Sequence, residues 1–156
     1  MVKIVTIHAF KAELAAHTRV IGIDYGRKKI GLSLSDREKI IASPFQVLIR
    51  KKLTTDIESL SKTMHENAVS GIVFGYPVET SGNIGLACAD VEKFAQEIEV
   101  KHSMPFYFQD ERLSTSAVRR ILNHTNMSRE RKEQVDDKMS ACYILQIVLD
   151  MMNKAD

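Results

Sequence analysis

Five carboxylates stand at the ends of hydrophobic runs, where a folded chain could gather them at a common edge. Asp24 closes the run Arg19–Asp24 (RVIGID), just before the turn YGRKK. Asp110 and Glu111 close Pro105–Asp110 (PFYFQD), and Asp136 and Asp137 open the last amphipathic segment. A lone carboxylate in such a place is costly to bury, because it loses most of its hydration. Several together become useful, since their oxygens suit a hard divalent cation such as Mg²⁺ or Mn²⁺. Two such ions about 4 Å apart activate water and stabilise the leaving oxygen of a phosphodiester. Each acid also has a plain structural role open to it. Asp24 could accept hydrogen bonds from its turn, Asp110 could end a strand, and Asp136 and Asp137 could complement a helix dipole.

Helical periodicity separates the last two acids. Positions four, seven, eight and eleven after Asp137 are Ala141, Ile144, Leu145 and Val148, the core stripe of an amphipathic helix. Asp137 therefore falls on the buried face at the helix start, while Asp136 shares a row with Ser140, Tyr143 and Ile147 that flanks it. The strand acids divide by alternation. Phe106, Phe108 and Asp110 take one face; Tyr107, Gln109 and Glu111 take the other.

The elements that must position these groups follow from the pattern. Ile30–Ser35 alternates apolar and small residues, and Ile40–Val47 reads as a third strand that Pro44 pushes toward an edge. With Arg19–Asp24 they predict a three-strand antiparallel meander. Helical spacing over Thr55–Asn67, a strand at Val69–Gly75, a helix over Gly85–Val100, the strand ending at Asp110, a short helix at Ser114–Leu122 and a last helix from about Asp136 to Asn153 complete the order. Helices between strands imply parallel crossovers. The prediction is an α/β fold: a mixed five-stranded sheet of an antiparallel meander and two parallel strands, with helices on both faces. The RNase H-like fold has this order. Residues 1–18 read as an N-terminal extension, helical across Phe10–Ala16, and residues 19–153 as one domain. The polar stretch Asn123–Gln134 reads as a mobile loop beside the acids, although its NMSRE segment could equally cap a short helix.

Composition excludes other classes. The chain has 156 residues, 44% hydrophobic and 27% charged, with a net charge of +2, which argues against disorder and collagen-like repeats. No apolar run of about 18 residues is present, so no membrane partner is expected. Cys88 and Cys142 form no CxxC pattern, which fits a cytoplasmic protein and argues against a disulfide scaffold or a structural zinc site. Basic residues approach the acids in sequence: Arg27 and Lys28 after Asp24, Arg112 and Arg119 after Glu111, Arg129 and Arg131 before Asp137. They are candidate phosphate contacts. Aromatic content is only 6% with no Trp, so sequence-specific stacking on single strands is not indicated.

The segments IGIDYGRKKIGLSLSD (Ile21–Asp36), SPFQVL (Ser43–Leu48), VFGYPVETSG (Val73–Gly82), FAQEI (Phe94–Ile98), DERLST (Asp110–Thr115) and VDDKMSACYILQIVLD (Val135–Asp150), in this order, resemble the YqgF/RuvX family. That family is described as Holliday-junction-resolvase-like and as nucleases of precursor 16S ribosomal RNA. The resemblance implies an RNase H-like nuclease and carries the first-strand acid onto Asp24. It carries the strand-end acid onto Glu111, with Asp110 beside it as a further metal ligand, and the helix acid onto Asp137. It implies Mg²⁺ or Mn²⁺ as cofactor, precursor RNA trimmed at its 5′ end as substrate, and a monomer or weak homodimer. Branched DNA cut as a Holliday junction is the alternative; a non-catalytic RNA-binding assembly factor is a further one. An actin-like or sugar-kinase nucleotide site, suggested by DYGRKKIG alone, would need a second domain. Two departures stand out: Ser140-Ala141 replaces the family's usual pair of alanines, and Glu79 stands where an Asn is usual.

Overall fold

Ile21 and Ile23 face one side of the first strand, and Val20 and Gly22 face the other, so this strand is buried on both faces. It is the middle of the sheet. The computed structural model describes residues 6–77, 85–110 and 129–154, with backbone only at 86 and 129–137. Five strands, β1 (Arg19–Tyr25), β2 (Lys29–Ser35), β3 (Ala42–Ile49), β4 (Val69–Tyr76) and β5 (Phe106–Asp110), lie in the order β3-β2-β1-β4-β5. β1–β2 and β2–β3 are antiparallel, whereas β1–β4 and β4–β5 are parallel. The expected meander and the two parallel strands are both present, and strand bounds agree to within two residues.

Among the described residues the helices are α1 (Ile7–Glu13), α2 (Leu53–Glu66), α3 (Leu86–Lys101) and α4 (Arg129–Lys154). On one face α2 and α3 cover Ile21, Ile23, Leu32 and Phe74 with Leu60, Phe94 and Ile98. On the other, α4 lays Ile144, Leu145, Val148 and Leu149 on Val20 and Val73. The stripe read from the sequence is the buried one: Ala141, Ile144, Leu145 and Val148 are all 0% exposed. Among the described residues, no helix is long and apolar enough to cross a membrane.

Three expectations change. The N-terminal helix spans Ile7–Glu13 rather than Phe10–Ala16, opened by Thr6, whose Oγ1 accepts from the Ala9 N–H at 3.1 Å. Its Phe10 is buried in the α4-side core and packs over Gly71, so this stretch is built into the fold. The last helix begins at Arg129, not near Asp136. Within the expected loop 123–134, residues 129–134 are therefore helical. The run RERKEQVDDK is polar, but it opens with strong helix formers and holds no Gly or Pro, and polarity alone suggested a loop. The expected Ser114–Leu122 helix lies outside the described residues. Pro44 sits on the edge strand beside a register shift, where its missing N–H breaks no inner ladder.

Gln146 fastens that edge strand to α4. Its Oε1 accepts from the Ala42 N–H at 2.8 Å, and its Nε2 donates to the Ile40 carbonyl at 3.0 Å. Both cysteines are buried and form no disulfide, and burial pushes the Cys142 thiol up.

Candidate active site

Asp24 is the penultimate residue of β1. In a strand, side chains two apart share a face, and the face Asp24 occupies is defined by Gly22. A Cβ at Gly22 would lie 2.3 Å from Ser33 Oγ, 2.8 Å from Leu145 Cβ and 2.9 Å from the Ala141 carbonyl oxygen. The α4 backbone thus rests directly on β1. Ser33, the register partner of Gly22, donates to that same carbonyl at 2.8 Å. Asp24 belongs to this α4-covered face.

The direction of α4 decides what lies near it. The C-terminal end of α4 meets α1, where Lys11 Nζ donates to the Met152 carbonyl at 3.0 Å, and Ala141 sits over Gly22. The helix therefore runs antiparallel to β1. From the Gly22–Ala141 contact, two residues along β1 reach Asp24, an advance of about 6.6 Å. Four residues back along α4 reach Asp137, an advance of about 6 Å. The two acid positions move to the same end of the molecule in step. Because α4 starts at Arg129, Asp137 is the ninth residue of the helix and not a first-turn residue. The dipole explanation for its charge falls away, since that effect fades within the first turn.

Beside Asp24 the sheet carries no side chains on this face. Its partner on β2 is Gly31. On β4, one residue beyond the Ile23–Phe74 pair, stands Gly75. Neither sheet neighbour of the half-buried Asp24 adds a side chain beside its carboxylate. Across Gly75 its partner Gln109 occupies the same level and face, two strand spacings or about 10 Å from Asp24. Sequence reading gave Gln109 no role; only the register aligns it with Asp24.

Asp110 lies on the opposite face. It pairs with Tyr76 as Phe108 pairs with Phe74, and those rings belong to the side covered by α2 and α3. That side is closed by aromatics: Tyr76 lies 5.1 Å from Phe108 and donates to Glu92 Oε1 at 2.5 Å. Burial and the Glu92 carboxylate push the Tyr76 phenol up. Glu111, Arg112 and Arg119 lie outside the described residues. Arg129 and Arg131 stand in the first turn of α4, two turns beyond Asp137. Among the described residues no three metal-ligating side chains come together.

Arg27 and Lys28 are exposed in the β1–β2 turn. One residue that sequence reading missed holds this turn. Arg50 Nη1 donates to the carbonyls of Gly26 at 2.9 Å and Arg27 at 3.1 Å. Its guanidinium lies 4.2 Å over the Tyr25 ring, which also stacks on Phe94 at 4.3 Å. Burial raises the Tyr25 phenol above its usual value of 10; Arg50 opposes this, and Asp56 and Asp90 add to it. Arg50 had no motif to announce it, because it lies in sequence far from Asp24 and only the β2–β3 pairing brings it back.

The RuvX family model, described as Holliday junction resolvase, matches residues 18–151. A protein from Paramagnetospirillum magneticum named "Putative pre-16S rRNA nuclease" is 45% identical over 139 residues, covering 89% of this chain and 90% of the relative. One of the same name from Ehrlichia canis is 37% identical over 147 residues, 94% of each. Among solved structures, Thermus thermophilus RuvC in complex with a Holliday junction substrate matches with a TM-score of 0.55 at 13% identity, over 87% of this chain and 96% of that one. A second Thermus thermophilus RuvC structure matches at 0.52. Both likenesses are of fold, and the fold is the RNase H-like one that the element order predicted. With the motifs matched from the first strand to the last helix at this identity, the chain belongs to the RuvX family.

Proposed function

We propose that this protein is a divalent-metal-dependent nuclease that hydrolyses phosphodiester bonds in RNA, trimming the 5′ end of precursor 16S ribosomal RNA in the cytoplasm. The observation that carries the reading is the antiparallel course of α4 on β1. It takes Asp24 and the Asp137 position to one end of the sheet, where β5 also ends. Glu111 follows Asp110 directly in sequence, where alternation read from the sequence groups it with Gln109, the residue that lies at the level of Asp24. We therefore assign the ligand set to Asp24, Glu111 and Asp137 and leave Asp110, on the aromatic face, a supporting role. The names of the close relatives supply the RNA substrate class.

The donor set fits the cation. Carboxylate oxygens are the ligands Mg²⁺ and Mn²⁺ prefer, and the glycines Gly31 and Gly75 flank Asp24 on its sheet neighbours. When bound, such ions lower the pKa of water and offset charge on the leaving oxygen. The residues do the rest. Asp24 is held on a strand whose neighbours on both sides are hydrogen-bonded, so its carboxylate starts from a fixed position. Asp137 is carried on a helix locked to that strand through Gly22 and Ser33. Arg27, Lys28, Arg112, Arg119, Arg129 and Arg131 are assigned to phosphates flanking the scissile bond.

Purified protein incubated with precursor RNA and Mg²⁺ tests this. The wild type should cleave, and Asp24→Asn should lose at least about 100-fold in rate, the loss expected when an electrostatic transition-state contact is removed. Equal cleavage by both would discard the assignment. A second reading, Holliday-junction cleavage on DNA, is favoured by the description of the family model itself. It requires two sites in a dimer, so a four-way DNA junction assayed alongside measured oligomeric state separates the two.

A further inference from the structure

We propose that two Arg-Lys-Lys tripeptides, residues 27–29 and 50–52, form a single ridge that grips the sugar–phosphate backbone of the substrate, with Arg50 locking the halves together; this rests on the nuclease reading above.

The tripeptides are distant in sequence but adjacent in space. Lys29 pairs with Ile49 across β2–β3, and the Arg50 N–H donates to the Lys28 carbonyl at 2.9 Å. Arg27 and Lys28 are the central residues of the β1–β2 turn, closed by the Gly26 N–H donating to the Lys29 carbonyl at 2.9 Å, and Lys51 follows directly on Arg50, whose side chain holds that turn. Arg27, Lys28, Lys51 and Lys52 are all exposed. Like charges gathered this closely repel one another, and the exposed members of the group face solvent. The nearest buried acid is engaged with backbone: Asp56, 4% exposed, accepts from the Lys51 N–H at 3.0 Å. A polyanion is the partner that turns this density of charge to advantage.

Position points the same way. The first tripeptide begins three residues after Asp24, at the edge where the parallel strands end, so a backbone held at Asp24 passes the ridge on leaving it. The contact is to phosphate and not to bases. Tyr25, the aromatic residue of the turn, has Arg50 on one ring face and Phe94 on the other, which leaves no platform for a base to stack on. The structure thus assigns the ridge to sequence-independent backbone recognition. Arg50 does what a lysine could not, because its planar guanidinium lays a face over Tyr25 while Nη1 holds two carbonyls.

The test is binding, carried out on the Asp24→Asn protein so that cleavage does not interfere. A labelled RNA duplex is titrated by fluorescence anisotropy between 50 and 200 mM salt. Adding Lys51→Gln and Lys52→Gln should flatten the slope of log affinity against log salt by about 1.4 to 1.8, the value for two lost phosphate contacts. Lys62→Gln with Lys93→Gln, exposed charges on α2 and α3, should leave the slope unchanged. Arg50→Lys keeps the charge and should keep the slope while weakening binding at every salt. An unchanged slope in the first pair, or an equal change in the second, overturns the ridge. Undiminished affinity in Arg50→Lys overturns the lock. No arm depends on cleavage, so a protein that binds through the ridge yet never cuts RNA would sink the nuclease reading and leave the ridge standing.

Discussion

Gly22 fixes how far apart strand and helix stand, and through that distance how the Asp24 and Asp137 positions lie relative to one another. With hydrogen in place of a side chain, β1 accepts Ser33 Oγ, Leu145 Cβ and the Ala141 carbonyl within what would be 2.9 Å of a Cβ. Two of these belong to α4, whose contact with β1 sets the placement of Asp137, so relief by a small shift would move the helix. Gly22→Ala should therefore destabilise the fold by about 1–3 kcal/mol, the usual cost of overpacking a core. Urea unfolding measures it; a loss under about 0.5 kcal/mol would show that α4 is free to move. At this scale the sequence was informative about Asp24, which its DxG context marks, and about Asp137, which the helical stripe selects. It left Asp110 and Glu111 open because alternation assigns faces but does not say which face α4 covers. Arg50 and Gln109 were illegible, since each reaches its place only through pairing between strands.

The β2–β3 connection shows how an element is held without a core. Asp36 Oδ1 accepts from the backbone N–H groups of Ile40 at 2.7 Å and Ile41 at 2.9 Å, and Lys39 takes a left-handed φ of 60° to close the loop. Burial acts to raise the Asp36 carboxyl, but the backbone donors of Ile41 and Ile40 outweigh it and hold the group below its ordinary 3.8. A depressed carboxyl stabilises the fold above its unfolded value, and that contribution drains as pH falls through the lower folded value. Asp36→Ala should thus be less stable than wild type near neutral pH, with the gap closing below about pH 3.8. Unfolding curves at pH 7 and pH 3 check this; a gap that widens with acid would contradict it. Strands and the α2, α3 and α4 stripes were legible because each must bury an apolar face. The first turns of α4 were not, because helix-forming polar residues carry no such face.

The whole molecule brings to one end Asp24 on β1, the Asp137 position on α4, the end of β5, and the Arg-Lys-Lys segments beyond β1 and β3. This follows from the order β3-β2-β1-β4-β5, in which the parallel strands β1, β4 and β5 all finish on the same edge. Ligands bind at that edge in open α/β sheets generally. The fold class was readable from the succession of hairpins and crossovers, whereas the integration of the N-terminal stretch was not, because a single Phe10 gives no periodic signal. The most direct measurement is anomalous scattering from crystals soaked in Mn²⁺. The expected result is at least one peak about 2.1 Å from carboxylate oxygens of Asp24 and shared with Glu111 or Asp137. Full-occupancy peaks elsewhere, with none at Asp24, would contradict the metal-dependent reading at its root.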